Sequence, residues 1–390
     1  MAVELASGLY EKVFCKTQTH NTFTAFAATD AVSPLRGTFK LEPFQNFEEL
    51  NEAVGTASHQ GEIQTDRGGK WSGSFLVKPA AAGTAPDITA LLTAAFGKET
   101  ITGGTSAVYT IDEDVYTSLQ FMHVVDGHWS HFADGAWVEQ MVITVPGNGL
   151  ATVEFSGGFS RFGWCYRDDV AGAEATAQTE IGIDDGSRGG VREPAMCEFE
   201  GDDNGGTGYL ITGTDNTSGA AHFDISPGIA GAGLAAGAEI LPLVLSQTTG
   251  GSALSAIECA LTFGAVEPGF IEAKTTMTTG LGPRDKEATT EYASAVCRVG
   301  GRKIEADLKC YFTDTAAGFS PLVGFAHDGT TYDVDLRIGP DTAGSRAKLS
   351  YPKARLDIMQ HDLGEILVVD GKIVARQSAA AEDEFALTFD

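Results

Sequence analysis

Gly300-Gly301-Arg302-Lys303-Ile304-Glu305-Ala306-Asp307-Leu308-Lys309 opens a block, Val299 to Asp390. Gly68-Gly69-Lys70-Trp71-Ser72-Gly73-Ser74-Phe75-Leu76-Val77 opens an earlier block, Arg67 to Gly158, built to the same plan. Each begins with a Gly-Gly-basic step and continues as an alternating run, the period-2 signature of a half-buried strand. A short apolar helical piece follows, Pro86 to Gly97 in the first block and the weaker Phe319 to Phe325 in the second. Further strands come next, and both blocks close on a short extended run, Ala151 to Phe155 and Phe385 to Phe389. Phe155 lies 87 positions after Gly68, and Phe389 lies 89 after Gly300. Identity is low, but order and length match, which reads as an internal duplication.

The rest of the composition agrees with a β-rich chain of two or three domains. At 390 residues with 43% hydrophobic content there is length for sizeable cores, and 48 Gly with 13 Pro imply many turns and short strands. The 26 Lys+Arg against 53 Asp+Glu leave a net charge of -27, which speaks against tight sequence-independent binding to nucleic acid, because that affinity comes from cations neutralising phosphates. Six cysteines without a Cys-x-x-Cys are expected as reduced, mostly buried thiols. Met1 to Tyr10 has neither a basic start nor a long apolar run, and nowhere do 18 apolar residues follow one another, so neither a secretory leader nor a membrane span is expected and the chain is expected to be made in a cytoplasm.

In chain order, Leu9 to Ala28 reads as an N-terminal arm whose alternation suits a strand laid on a neighbour's sheet. Phe39 to Phe44 reads as a strand, and Asn46 to Gln64 as a long polar connection. Asp87 to Phe96 carries apolar Ile88, Leu91, Leu92 and Ala95 at helical spacing with Gly97 as a stop, which predicts a helix. Turn dipeptides at Asp126-Gly127 and Asp134-Gly135, then Pro146 to Gly149, divide Tyr116 to Ser156 into a four-stranded antiparallel meander. Asp168 to Gly190 reads as an Ala/Gly/Asp-rich linker. Arg192 to Ser246 follows as a small β block of about barrel size. Ala256 to Phe263 and Gly269 to Thr278 restart the strands, and a second polar connection, Gly280 to Glu291, lies just ahead of Gly300-Gly301, as Asn46 to Gln64 lies ahead of Gly68-Gly69. The domains expected are therefore 1–165, 166–250 and 251–390.

No catalytic pattern emerges, and no cofactor is expected. His123, His128 and His131 surround the Asp126-Gly127 turn, and three imidazoles would suit zinc, but alternation puts His128 and His131 on opposite faces of one strand, so no metal site is assigned. Gly231-Ala232-Gly233-Leu234-Ala235-Ala236-Gly237 lacks the strand, helix and lysine of a phosphate loop. Asp202-Asp203-Asn204-Gly205 lacks the distal Glu of a calcium loop and reads as a turn. There is no Gly-x-Ser-x-Gly, His-Glu-x-x-His or Cys/His dyad.

The stretch Ala85 to Gly97, after Lys78-Pro79 and a Gly/Ala linker, resembles the corresponding segment of bacteriophage tail tube (major tail) proteins. So does the carboxyl end, Gly344-Ser345-Arg346-Ala347-Lys348-Leu349-Ser350-Tyr351-Pro352-Lys353-Ala354-Arg355-Leu356, with Asp362 to Glu365 and the closing Asp383 to Asp390. Gly208 to Asp215 and Phe223 to Pro227 are similar to small β domains in the middle of longer tube proteins. This resemblance implies two antiparallel β-sandwich or half-barrel domains, each with one short helix, plus a small inserted β-barrel-like domain. It further implies a non-enzymatic virion subunit, assembled in the host cytoplasm and not membrane-bound, whose partners are copies of itself in stacked rings and other tail proteins at the tube ends. A duplicated chain would form a trimer of pseudo-sixfold symmetry, with DNA passing through an acidic lumen without specific binding. The two polar connections become candidate inter-ring contacts, represented by Phe47, Glu48, Glu49 and Glu52 and by Arg284, Asp285, Lys286 and Glu287. A virion-surface or extracellular β-rich binding or adhesion protein is the alternative class.

Overall fold

The structure, a computed structural model, describes residues 10–49, 62–183, 189–217, 221–247, 250–284, 292–311, 320–363, 367–377 and 382–390. The first half forms β1 (Glu11–Gln18), β2 (Ala31–Val32), β3 (Lys40–Glu49), β4 (Glu62–Leu76), α1 (Thr89–Phe96), β5 (Gly97–Thr102), β6 (Ser106–Ile111), β7 (Ser118–Val125), β8 (Trp129–Ala136), β9 (Gln140–Val145), β10 (Thr152–Phe159) and β11 (Arg161–Tyr166). The helix starts two residues later than its sequence spacing suggests. It buries Leu91, Leu92, Ala94, Ala95 and Phe96 and ends at Gly97, where φ is 96° and a Cβ would lie 2.7 Å from the Asp112 carbonyl oxygen. Only glycine suits that reversal into β5.

The supposed meander is split between two sheets. β7 and β8 pair in one sheet, while β9 pairs with β10 in another, and the chain crosses between them at Trp137–Glu139. Asp126-Gly127 does make the hairpin turn, with φ of 53° and 66°. Asp134-Gly135 makes none. It sits inside β8 where the register with β7 shifts, so a glycine with φ of 63° serves a bulge rather than a turn. The N-terminal arm is likewise internal, since all eight residues of β1 pair with β7 of the same chain.

The middle of the chain forms β12 (Asp168–Asp169), β13 (Glu180–Gly182), β14 (Val191–Arg192), β15 (Ala195–Phe199), β16 (Tyr209–Asp215), β17 (His222–Ser226) and β18 (Glu239–Pro242). Six of these make a sheet ordered β12-β18-β15-β16-β17-β13, which a Val170↔Ile183 bridge closes on itself around Phe199, Tyr209 and Phe223. The Asp168 to Gly190 stretch is thus not only linker, because β12, β13 and buried Val170, Ile181 and Ile183 belong to this barrel. Its apolar cluster is continuous with Phe14, Met122, Phe132 and Cys165, so the barrel sits on the outer face of the sheet ordered β14-β11-β8-β7-β1-β2.

The second half supplies β19 (Ala260–Phe263), β20 (Phe270–Thr278), β21 (Leu281–Pro283), β22 (Val296–Arg298), β23 (Lys303–Tyr311), α2 (Ser320–His327), β24 (Thr331–Ile338), β25 (Ala347–Leu363), β26 (Leu367–Ala375) and β27 (Ala386–Phe389). Two runs of strands pair in the same order. The first half contributes β3-β4-β10-β9 and the second β20-β23-β26-β25, joined into one long sheet by β9 against β20. Opposite these lie β11-β8-β7-β1 in the first half and β27-β25-β24-β19 in the second. A helix follows the second strand of the long-sheet run in each half, α1 after β4 and α2 after β23. The long β25 takes the places of both β8 and β9.

These pairings move the ends of the sequence blocks. Ala151 to Phe155 lies in the long sheet against β4 and β9, whereas Phe385 to Phe389 lies in the opposing sheet against β25 and β6. By pairing order β10 corresponds to β26, and β11 to β27. The β5–β6 hairpin has no counterpart among the described residues after α2, and β6 extends the second half's sheet through β27. One apolar cluster, with Trp71, Phe75, Phe155, Leu308, Leu349 and Tyr351 among its members, runs between the sheets of both halves. All six cysteines are free, and Cys15, Cys165, Cys197 and Cys310 are buried.

Candidate functional site: the open face and edges of the long sheet

Along β20, β23 and β26 one set of alternate residues is buried: Ala273, Thr275 and Met277, then Ile304, Ala306 and Leu308, then Val369 and Ile373. The other set faces away from the core and is strongly charged. Lys274, Asp307, Lys372 and Asp357 stand in one row across four strands, so opposite charges alternate at every step. Lys372 Nζ lies 2.9 Å and Lys303 Nζ 3.0 Å from the Glu305 carboxylate, and Arg355 pairs with Asp357 at 2.7 Å. The hydrogen bond from Lys372 holds the Glu305 carboxyl below the usual range. Among the side chains whose exposure is described on β3, β4, β10, β20, β23, β26 and the part of β25 that pairs with β26, this face carries seven basic groups (Lys40, Lys70, Lys274, Lys303, Lys309, Arg355, Lys372) and seven acidic ones (Glu42, Glu154, Glu272, Glu305, Asp307, Asp357, Asp370). Over those side chains the face is charge-balanced although the chain is not.

Part of the excess acid is concentrated in the middle of the chain. From Tyr166 to Gly250 there are 3 Lys+Arg against 14 Asp+Glu, a net of -11 in the segment that holds the barrel. The barrel sits beyond the outer sheet, and sheets stack about 10 Å apart, so screening over about 8 Å at physiological salt removes most of its field from the open face.

The long sheet ends in two edges without a described partner. One is β3, and the other is the part of β25 beyond Arg355, where β24 no longer pairs. On β3 the nitrogen of Pro43, opposite Gly69, faces the open edge without an N–H to offer, so a strand added there pairs on either side of it. Pro43 and the Lys/Asp/Glu alternation of Glu272–Lys274 and Lys303–Lys309 were the sequence signals for this edge and face, and periodicity alone did not separate them from ordinary solvated strands.

The two polar connections behave differently. Phe47, Glu48 and Glu49 lie in β3, which pairs with β4 as far as Glu49↔Glu62, so most of the first connection's flanks are a hairpin arm rather than loop. Glu52, Asp285, Lys286 and Glu287 lie outside the described residues. Arg284 follows β21, and its N–H donates to the Ala295 carbonyl at 2.9 Å. The described residues on either side of 285–291 lie against the first half. Leu281 and Val296 pack with Trp137. His20 Nε2–H and Asn21 Nδ2–H donate to the Ala293 carbonyl at 3.2 and 3.0 Å, and Arg161 stacks over Tyr292 at 5.5 Å.

The histidines do not gather into a metal set. His123 and His131 are cross-strand partners that flank Trp129, with ring centroids 5.7 and 4.2 Å from the indole, and His123 Nε2 lies 3.5 Å from Glu11 Oε2. Burial, and then the neighbouring His123, push the His131 imidazole down to about 4. Because the folded-state value lies below the ordinary 6.5, the unfolded chain binds the proton first. Stability is therefore lost as pH falls from about 6.5 towards 4, by on the order of 1–3 kcal/mol from this residue. His131→Gln is expected to flatten the fall in melting temperature across that window; parallel profiles for variant and parent would refute the assignment.

The glycine-rich loop is occupied by the protein's own carboxylate. Gly231 N–H donates to Asp202 Oδ2 at 2.9 Å and Asn204 N–H to Asp202 Oδ1 at 3.1 Å. Against a burial penalty, those bonds hold the Asp202 carboxyl below its usual range. An internal anion thus sits where a phosphate would have to bind. Among the described residues, no helix is long and apolar enough to cross a membrane. No protein-family model matches the chain, and no curated protein matches it.

Proposed function

We propose that the chain is a structural subunit of a long-tailed phage tail tube, in which two copies of one sandwich unit lie side by side and polymerise into stacked rings. The observation that carries this reading is the junction between β9 and β20. Pairing order makes β3 the counterpart of β20 and β25 the counterpart of β9. The two free edges of the β3-to-β25 run are therefore the two strand types that already pair inside it. Repeating that junction between copies, β25 of one against β3 of the next, extends the sheet, and closure into a ring removes both edges. Three chains of two units each would give a pseudo-sixfold trimer, with the charge-balanced face lining the lumen and the acidic barrel on the outer circumference. A wall without net cationic charge offers phosphates no counterion release, so DNA passes without sticking. An acidic lumen is not needed for this.

Negative-stain microscopy of concentrated protein is the direct test. Rings or tubes with a central hole, and a mass near three times 40.9 kDa for the smallest closed species, are expected. Monomers at every concentration and salt would refute the tube and favour a virion-surface binding protein.

A further inference from the structure

On the outward face of the barrel, Glu180 stands opposite Asp224 and Gly182 opposite His222 in the β13–β17 ladder. Ile181, Phe223 and Ile225 point inward and are buried, so Glu180, His222 and Asp224 share the solvent side. One ligand atom from each lies within 4.8 Å of the other two, and His222 Nε2 is 4.0 Å from Glu180 Oε2. Two carboxylates directly opposite each other on a ladder repel, which costs stability unless a cation lies between them. The surroundings leave room for one. Gly182 presents no side chain beside His222, and the bulge between Ile211 and Gly213 sets a second glycine opposite Asp224. A Cβ at Gly213 would stand 2.7 Å from Asp224 Oδ2, so a larger residue would displace that carboxylate.

We propose that Glu180, His222 and Asp224 form a surface site for a divalent transition ion of the zinc class, with water completing the coordination. An imidazole nitrogen with two carboxylate oxygens suits zinc, whose bonds of about 2.0–2.2 Å need only small side-chain rotations to converge here. Calcium takes about six to eight oxygens, and this set supplies two residues with them. The ion would staple β13 to β17 beside the Val170↔Ile183 bridge that closes the barrel, and the proposal is independent of the tube reading.

The test is calorimetric titration of zinc chloride into the full chain after chelator treatment, with amide exchange of β13 and β17 followed in parallel. Wild type is expected to bind one ion at this site and to slow exchange at Ile181 and Phe223, the amides that pair β13 with β17. His222→Ala should weaken that binding by about 10-fold or more, since losing even an outer-shell partner commonly costs about that much. Asp224→Asn should weaken it as well while leaving the melt without zinc near that of wild type. Absence of a one-to-one site, zinc binding unchanged in His222→Ala, or calcium binding more tightly than zinc would each overturn the proposal.

Discussion

Gln45→Pro is expected to give a folded chain that no longer assembles. Pro43 already sits within β3, paired with Gly69 in an unbroken stretch of the ladder with β4. Proline has no N–H to give, so its nitrogen faces away from β4, toward the open edge. Gln45 is two residues further along, pairs with Arg67, and by strand periodicity turns its own N–H to the same side. Its side chain is exposed. Replacing it removes one outward donor and sets a ring on the edge while leaving every bond to β4 in place. The melting transition should therefore stay within about 1 kcal/mol of the parent. Rings and tubes should be absent by microscopy and gel filtration, whereas Gln45→Ala should still assemble. If Gln45→Pro assembles as the parent does, β3 is not the joining edge, and the repetition of the β9–β20 junction between copies fails with it.

What the sequence disclosed and what it hid divide along physical lines. Strand alternation in Lys303–Lys309 and helical spacing in Ile88–Ala95 are local properties, and both elements form, the helix from Thr89 rather than Asp87. The pairing partners of those strands are not local. Nothing in the spacing of Ala151–Phe155 and Phe385–Phe389 says that one joins the long sheet and the other the opposing sheet, so two runs of similar pattern were matched that occupy different places. Gly135 misled for a related reason, because a positive φ serves a bulge as well as a turn and composition does not distinguish them. The overall charge of -27 also hid a distribution: the barrel concentrates acid, while the open face alternates signs row by row. As for the candidate site, its charged residues were visible as strand positions, but their common face and the two unpaired edges follow only from topology.

Gly157→Ala is expected to be the most damaging small substitution in the first half. Gly157 lies in β10 opposite Trp71, where the crossover from the outer sheet to the long sheet is laid across the strand. Trp137 N–H donates to the Gly158 carbonyl at 3.0 Å and Glu139 N–H to the Ser156 carbonyl at 2.8 Å. A Cβ at Gly157 would stand 1.9 Å from the Trp137 carbonyl oxygen, a backbone atom that cannot rotate away. That oxygen also accepts the Trp71 indole N–H at 2.9 Å, and the Trp71 side chain is buried. A methyl group must push the crossover off β10, so overpacking at about 1–3 kcal/mol is joined by a stranded indole donor at about 1–3 kcal/mol. A total of roughly 2–6 kcal/mol is a large share of the 5–15 kcal/mol that typically holds a domain together. Gly103→Ala, where a Cβ would meet nothing within 4 Å, is the matched control and should shift stability by no more than about 0.5 kcal/mol. Urea unfolding of the two variants reads the difference. Because the crossover places β8 in one sheet and β9 in the other, a loss below about 1 kcal/mol for Gly157→Ala would mean that the two sheets are not locked together at Trp137.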